Sequence, residues 1–96
     1  MAHVVVAPTA VADLEAMIGT LGLPEDTRSR VTARLGRLGR FPESGQRLEG
    51  RWEGFRFILG PWRWMLIVYV IDEAADQVNV VTIQDARSAR SATSDG

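Results

Sequence analysis

The chain has 96 residues, 46% of them hydrophobic, and a formal net charge of −1, enough for one modest core over residues 1–96 and too little for two independent domains. It has no cysteine, which excludes a disulfide framework and a thiolate metal site and makes a reducing cytoplasm the expected location. The longest apolar run, Trp64 to Ile71, is far shorter than the roughly 20 residues of a membrane span, so no membrane association is expected.

The amino terminus, MAHVVVAPTAVADLE, lacks a basic segment and is interrupted by Pro8 and Asp13, unlike a secretory signal. His3 to Ala7 is a short β-branched run that reads as a strand. Pro8-Thr9 breaks it and can open a helix, since proline is tolerated in the first turn. Val11, Leu14, Ile18 and Leu21 then recur at helical spacing and give that helix one buried stripe. Gly22 and Pro24 punctuate the chain, and Glu25-Asp26 suit the positive end of a second helix. That helix is predicted from about Pro24 to Arg40, with Val31, Leu35 and Leu38 inward and Arg30, Arg34 and Arg37 forming a basic edge one position earlier. Gly36 and Gly39 each weaken it by roughly 1 kcal/mol relative to alanine. Close packing against a sheet is the expected reason.

Phe41-Pro42-Glu43-Ser44-Gly45 ends the helical part. In the first strand that follows, Phe55, Phe57 and Leu59 alternate with Arg56 and Ile58, which predicts an aromatic core face and Arg56 on the opposite face. Gly60-Pro61 turns the chain. Trp64 to Ile71 is apolar on both faces, as in a central strand covered on both sides, or covered half by helices and half by a partner. Asp72 to Gln77 is an acidic hairpin loop, and Val78 to Ile83 is the last strand. The tail from residue 91 to 96 is small and polar and is expected to fray. The order is β-α-α-β-β-β, an α+β class with a small antiparallel sheet on two N-terminal helices.

Charge is unevenly distributed along this plan. Between Arg28 and Arg63 nine arginines face three glutamates, while the flanks are acidic, and no basic side chain is lysine. A guanidinium fork can bind two oxygens of a phosphate or carboxylate at once, which points to a phosphate-bearing or acidic partner. Trp52, Trp62 and Trp64 are candidates for stacking on bases or anchoring a partner helix. Arg47, Arg51 and Arg90 join them as candidate RNA or partner contacts. Tyr69, in mid-strand, reads as a packing residue with a satisfied hydroxyl. Glu43 and Glu49 are the carboxylates nearest the sheet edge. With one histidine and no cysteine there is no metal-ligand spacing, and there is no phosphate-binding glycine loop, so no cofactor is expected.

The motifs L-x-G, G-F-R-F, G-P-W-R, V-Y-V-I-D and V-V-T-I-x-D-A-R, in this order of elements, resemble the RelE/ParE superfamily of bacterial toxin-antitoxin toxins over nearly the whole chain. The resemblance implies a cytoplasmic toxin that arrests growth when free and is silenced by a cognate antitoxin. RelE-like members cleave messenger RNA on the ribosome without a metal, whereas ParE-like members bind DNA gyrase and perform no chemistry. A homodimer and a degenerate member acting only as an interaction partner are further readings. Cleavage would need a base, an acid and cations for the phosphorane charge, and guanidinium suits only the last. By resemblance, Arg56, Arg63 and Arg87 are the cationic positions at the scissile phosphate. Ile58 stands where a second basic residue is usual, Thr93 about where RelE-like enzymes place a tyrosine, and Gly60 to Tyr69 exceeds the usual spacing.

Overall fold

A strand apolar on both faces can satisfy itself only in the middle of a sheet, and that is where the Trp64–Ile71 run lies. The computed structural model describes residues 2–88 and 90–93. Its elements are β1 (His3–Val6), α1 (Pro8–Leu21), α2 (Thr27–Arg40), β2 (Gln46–Arg47), β3 (Arg56–Leu59), β4 (Met65–Asp72) and β5 (Gln77–Asp85), in the sheet order β1-β5-β4-β3-β2. The α+β class and the expected order are present. Two details differ from an all-antiparallel, four-strand sheet: β1 lies parallel to β5, and a two-residue strand, β2, is added beside β3. After β1 and the helical pair, the remaining strands bring β5 back alongside β1 in the same sense.

Local chemistry sets the helix limits. α1 ends at Gly22, whose φ of 62° is the left-handed conformation that glycine adopts without a Cβ penalty. α2 starts at Thr27 rather than Pro24, because the Thr27 hydroxyl and amide both donate to the Pro24 carbonyl (2.6 and 3.1 Å) and close residues 24–27 into a turn. Gly39 is close-packed as expected, since a Cβ there would lie 3.1 Å from the Ala2 carbonyl oxygen, but a Cβ at Gly36 would meet nothing within 4 Å.

The sheet carries two apolar clusters, one on each face. On the helix-backed face, Ala10, Leu14, Val31 and Leu38 pack on Met65, Ile67, Tyr69, Val78, Val80 and Ile83. On the other face Leu66 and Val68 are covered by Leu48 and Ala92, with Trp52, Phe55 and Phe57 packed around them. β3 turns its aromatic face to this second cluster, as the alternation predicts, and its opposite face is the one the helices cover. Phe55 and Phe57 belong to the second cluster, while Arg56 and Ile58 share the helix-backed face with Tyr69 and Ile67, their partners on β4. The chain itself thus covers both faces of β4. The tail takes part: Ser91 and Ala92 are buried, and the Ala92 amide donates to Gln84 Oε1 at 2.7 Å, so these two residues do not fray. Residues 94–96 of the expected tail lie outside the described residues.

β5 is bulged, since Val68 pairs with Thr82 and Tyr69 with Val80, leaving Val81 extra. Beyond the end of β1, Asp13 of α1 accepts from the Thr82 hydroxyl (2.5 Å) and the Ile83 amide (3.2 Å), so one carboxylate satisfies the exposed edge and docks the helix.

The segment between α2 and β2 is tied down by Tyr69. Its ring is fully buried. The hydroxyl donates to the Pro42 carbonyl at 2.6 Å and accepts from the Gly45 amide at 3.0 Å, so the expected packing role with a satisfied hydroxyl is what the geometry provides. A Cβ on Gly45 would fall on that hydroxyl and 2.6 Å from the Phe57 carbonyl oxygen. Gly45→Ala is therefore expected to lower thermal stability by about 2 kcal/mol or more, a strain cost of the kind seen on overpacking. Gly36→Ala, in open space on a helix, should raise it by up to about 1 kcal/mol. Differential scanning calorimetry of the pair checks both signs.

Burial pushes the Tyr69 phenol above its ordinary pKa, with the Gly45 amide and Arg56 pulling it partly back. The protonated phenol is the form the fold stabilises. That contribution is complete below the unfolded-state pKa and is lost as pH rises through the higher folded-state value. Tyr69 is the only tyrosine, so phenolate absorbance reads it directly. Alkaline titration should show ionisation above the ordinary tyrosine value, coinciding with loss of structure by circular dichroism.

Candidate functional site

The sequence places its cations around β3, the β3–β4 turn and the end of β5, and the fold sets them at the start of β4 and opposite its middle. At the start of β4 the 60–64 turn is closed by the Gly60 amide on the Met65 carbonyl (2.8 Å) and the Met65 amide on the Trp62 carbonyl (3.1 Å). The Ala86 amide donates to the Trp64 carbonyl at 2.7 Å, which fixes the turn carrying Arg87 beside the one carrying Trp64. Trp62 and Trp64 stack with centroids 5.7 Å apart and planes 10° from parallel. Arg30 of α2 lies over Trp62 at 5.0 Å and Arg87 over Trp64 at 4.7 Å. The result is a guanidinium–indole–indole–guanidinium run joining α2 to the end of β5. Arg30 is thus more than part of a solvated basic edge.

Arg87 has a second partner. Its Nε and Nη2 donate to Asp85 Oδ1 and Oδ2 at 2.9 and 2.8 Å, and its backbone amide donates to Oδ1 at 2.9 Å. The Arg87 guanidinium holds the Asp85 carboxyl below its ordinary pKa. Arg63, between the two tryptophans, is exposed, and among the described residues its side chain makes no hydrogen bond or ion pair.

Arg56 lies further along the sheet, opposite the middle of β4. Its partner Tyr69 is four positions along β4 from Met65, the partner of Asp85, a separation of about 13 Å along the strand alone. Its Nη1 donates to the Glu43 and Gly45 carbonyls at 3.2 and 3.0 Å. Ion pairs of Arg56 or Arg63 with Glu49, Glu53 or Asp85 are not formed among the described residues; Asp85 pairs with Arg87 instead. Arg47 is the direct cross-strand neighbour of Arg56 and is exposed, as are Arg51, Arg90, Glu43 and Glu49. Trp52 meets Phe55 edge-on at 5.5 Å in the second cluster. Of the three arginines expected around one phosphate, Arg56 is held by main-chain carbonyls, Arg87 by Asp85 and Trp64, and Arg63 by no partner among the described residues. The two indoles expected to stack on bases already stack on each other and on guanidinium groups.

Sequence reasoning passes over the roles of Asp13 and Asp85, which hold α1 and Arg87. Asp85 carries a signal: a carboxylate two residues before an arginine at a strand end can fold back onto it. Trp62→Ala should lower stability by about 2 kcal/mol or more through lost aromatic packing, and Arg30→Ala by only about 0.5–1 kcal/mol, as for an exposed cation–π contact. Urea denaturation followed by tryptophan fluorescence measures both.

No protein-family model and no curated protein sequence matches the chain. Among solved structures, one from a RelBE2 toxin-antitoxin complex of Mycobacterium tuberculosis is similar, with TM-score 0.70 and 22% identity over 88% of this chain and 96% of that one. The intact RelBE complex of E. coli gives 0.68 and 16% over 92% and 100%. The isolated E. coli RelE toxin gives 0.67 and 15% over 94% and 89%. This end-to-end agreement of elements establishes that the chain has the RelE toxin fold.

Proposed function

We propose that this chain is the toxin of a toxin–antitoxin pair, held inactive by a cognate antitoxin, and that the freed protein arrests growth by binding its target. The observation that carries the toxin reading is the match to the isolated RelE toxin across nearly all of both chains. Two further similar structures come from complexes with an antitoxin, which supports an antitoxin as partner here.

Binding is favoured over RNA cleavage by where the polar groups lie. Arg56 and Arg87 are engaged separately, the first on main-chain carbonyls and the second on Asp85. Tyr69, the one phenol, is buried with both hydrogen bonds made and cannot serve a ribose hydroxyl. A protein target such as DNA gyrase asks only for a complementary surface, and exposed Arg63, Arg90 and Arg51 offer cations for one. Ribosome-dependent cleavage has one observation on its side, the cross-strand neighbours Arg47 and Arg56, two like charges that an anion would relieve.

Inducing the chain in a bacterial host, with and without the product of the adjacent reading frame, tests the proposal. Growth arrest relieved by that product, with DNA-damage signalling and intact messenger RNA, is the expected result. Messenger RNA cut within codons would overturn the binding reading in favour of the nuclease. Unimpaired growth would overturn the toxin reading altogether.

A further inference from the structure

A concavity opens beside the Glu43 and Gly45 carbonyls that accept from Arg56. It encloses about 1090 Å³ around the segment from Phe41 to Gln46. The C-terminal half of α2 brings Arg34, Arg37 and Arg40 to it, and the end of β4 and the turn after it bring Asp72, Glu73 and Asp76. The two ion pairs among the described residues are Arg28–Glu15 and Arg87–Asp85, so none of these six charges is paired there. Phe41 is on the same lining and is 61% exposed, the most among the large hydrophobic residues described, and Ile71 lines it too.

A ligand of one sign does not suit this surface. A nucleic acid attracted by the three arginines meets three carboxylates and Glu43 within the same concavity, and an acidic peptide meets the same repulsion. The fitting partner has both signs in the reverse order around an apolar centre. A second copy of this chain has that pattern by construction: a two-fold axis near Phe41 lays the arginine row of one copy on the acidic turn of the other, twice. An apolar centre rimmed by complementary charge is also the usual anatomy of an interface.

We infer that this face forms a symmetric dimer of the chain, with Phe41 at the centre and Arg34, Arg37 and Arg40 of each copy against Asp72, Glu73 and Asp76 of the other. The inference does not rest on the toxin reading, and a non-toxic chain would dimerise equally.

Sedimentation equilibrium of the full chain tests it. The wild type should self-associate at low salt and dissociate as salt rises. Arg37→Glu and Glu73→Arg, both at exposed positions, should each weaken association by about tenfold or more, because each sets like charges across the axis twice. Mixing the two variants in equal amounts should restore a dimer. In the mixed pair the two reversed side chains face each other with opposite signs, and the two unchanged side chains, Arg37 and Glu73, meet as they do in the wild type. Phe41→Ser should weaken association without salt dependence of its own. A wild type that stays monomeric at all concentrations would overturn the inference. So would a dimer indifferent to both reversals, or a mixture that remains monomeric while each variant is folded by circular dichroism.

Discussion

The hydroxyl of Tyr69 holds the long irregular passage after α2 to the sheet. Between the end of α2 and the start of β3 the chain must cross from the helical layer to the far edge, and such a segment carries main-chain groups that need partners. Tyr69 supplies one oxygen that donates to Pro42 and accepts from Gly45, and Arg56 adds donors to the Glu43 and Gly45 carbonyls. Gly45 is glycine because that oxygen and the Phe57 carbonyl fill the space of a Cβ. The position of β2, the orientation of Arg56 and the shape of the concavity around Phe41 all follow from this clamp.

β4 then explains why so small a chain needs cover on two sides. Met65, Ile67 and Tyr69 face the helices, Leu66 and Val68 face away, and no side chain from Met65 to Tyr69 is exposed. The second cluster is thin and is built from irregular segments: Leu48 and Trp52 before β3, and Ala92 after β5. Burying apolar area contributes roughly 25 cal/mol per Å² wherever it occurs, so these short segments are stability elements. The loop between β2 and β3, with Ala86 and Ala92 after β5, forms part of a core.

How much of this is legible in the sequence depends on the range of the interaction. The helices, the turns at Gly22 and Gly60, and the apolar strand are visible because periodicity and turn chemistry are local. The hydroxyl of Tyr69 is legible as satisfied, although its partners, at Pro42 and Gly45, are contacts across the fold. The facing of β3 is not legible, for a physical reason: alternation says that Phe57 and Arg56 oppose each other, but a sheet with apolar clusters on both faces gives no rule for which one the helices cover. The stacked tryptophans are legible as residues and illegible as a stack. Arg30 and Arg87, which complete it, come from segments 57 positions apart in the chain.

The cationic site fares worst, because charge counted along a chain is not charge arranged in space. The stretch from Arg28 to Arg63 is rich in arginine and poor in carboxylates, which by itself suggests a surface that attracts phosphate. Folding brings the acidic β4–β5 turn and the arginines at the end of α2 to one concavity, seats Asp85 on Arg87, and points Arg56 at main-chain carbonyls. Opposite charges within a Debye length, about 8 Å at physiological ionic strength, cancel most of each other's reach into solvent. What survives is a pattern of alternating sign. Such a surface discriminates by geometry at contact more than it attracts at a distance, a property suited to recognising one protein among many and poorly suited to gathering a polyanion.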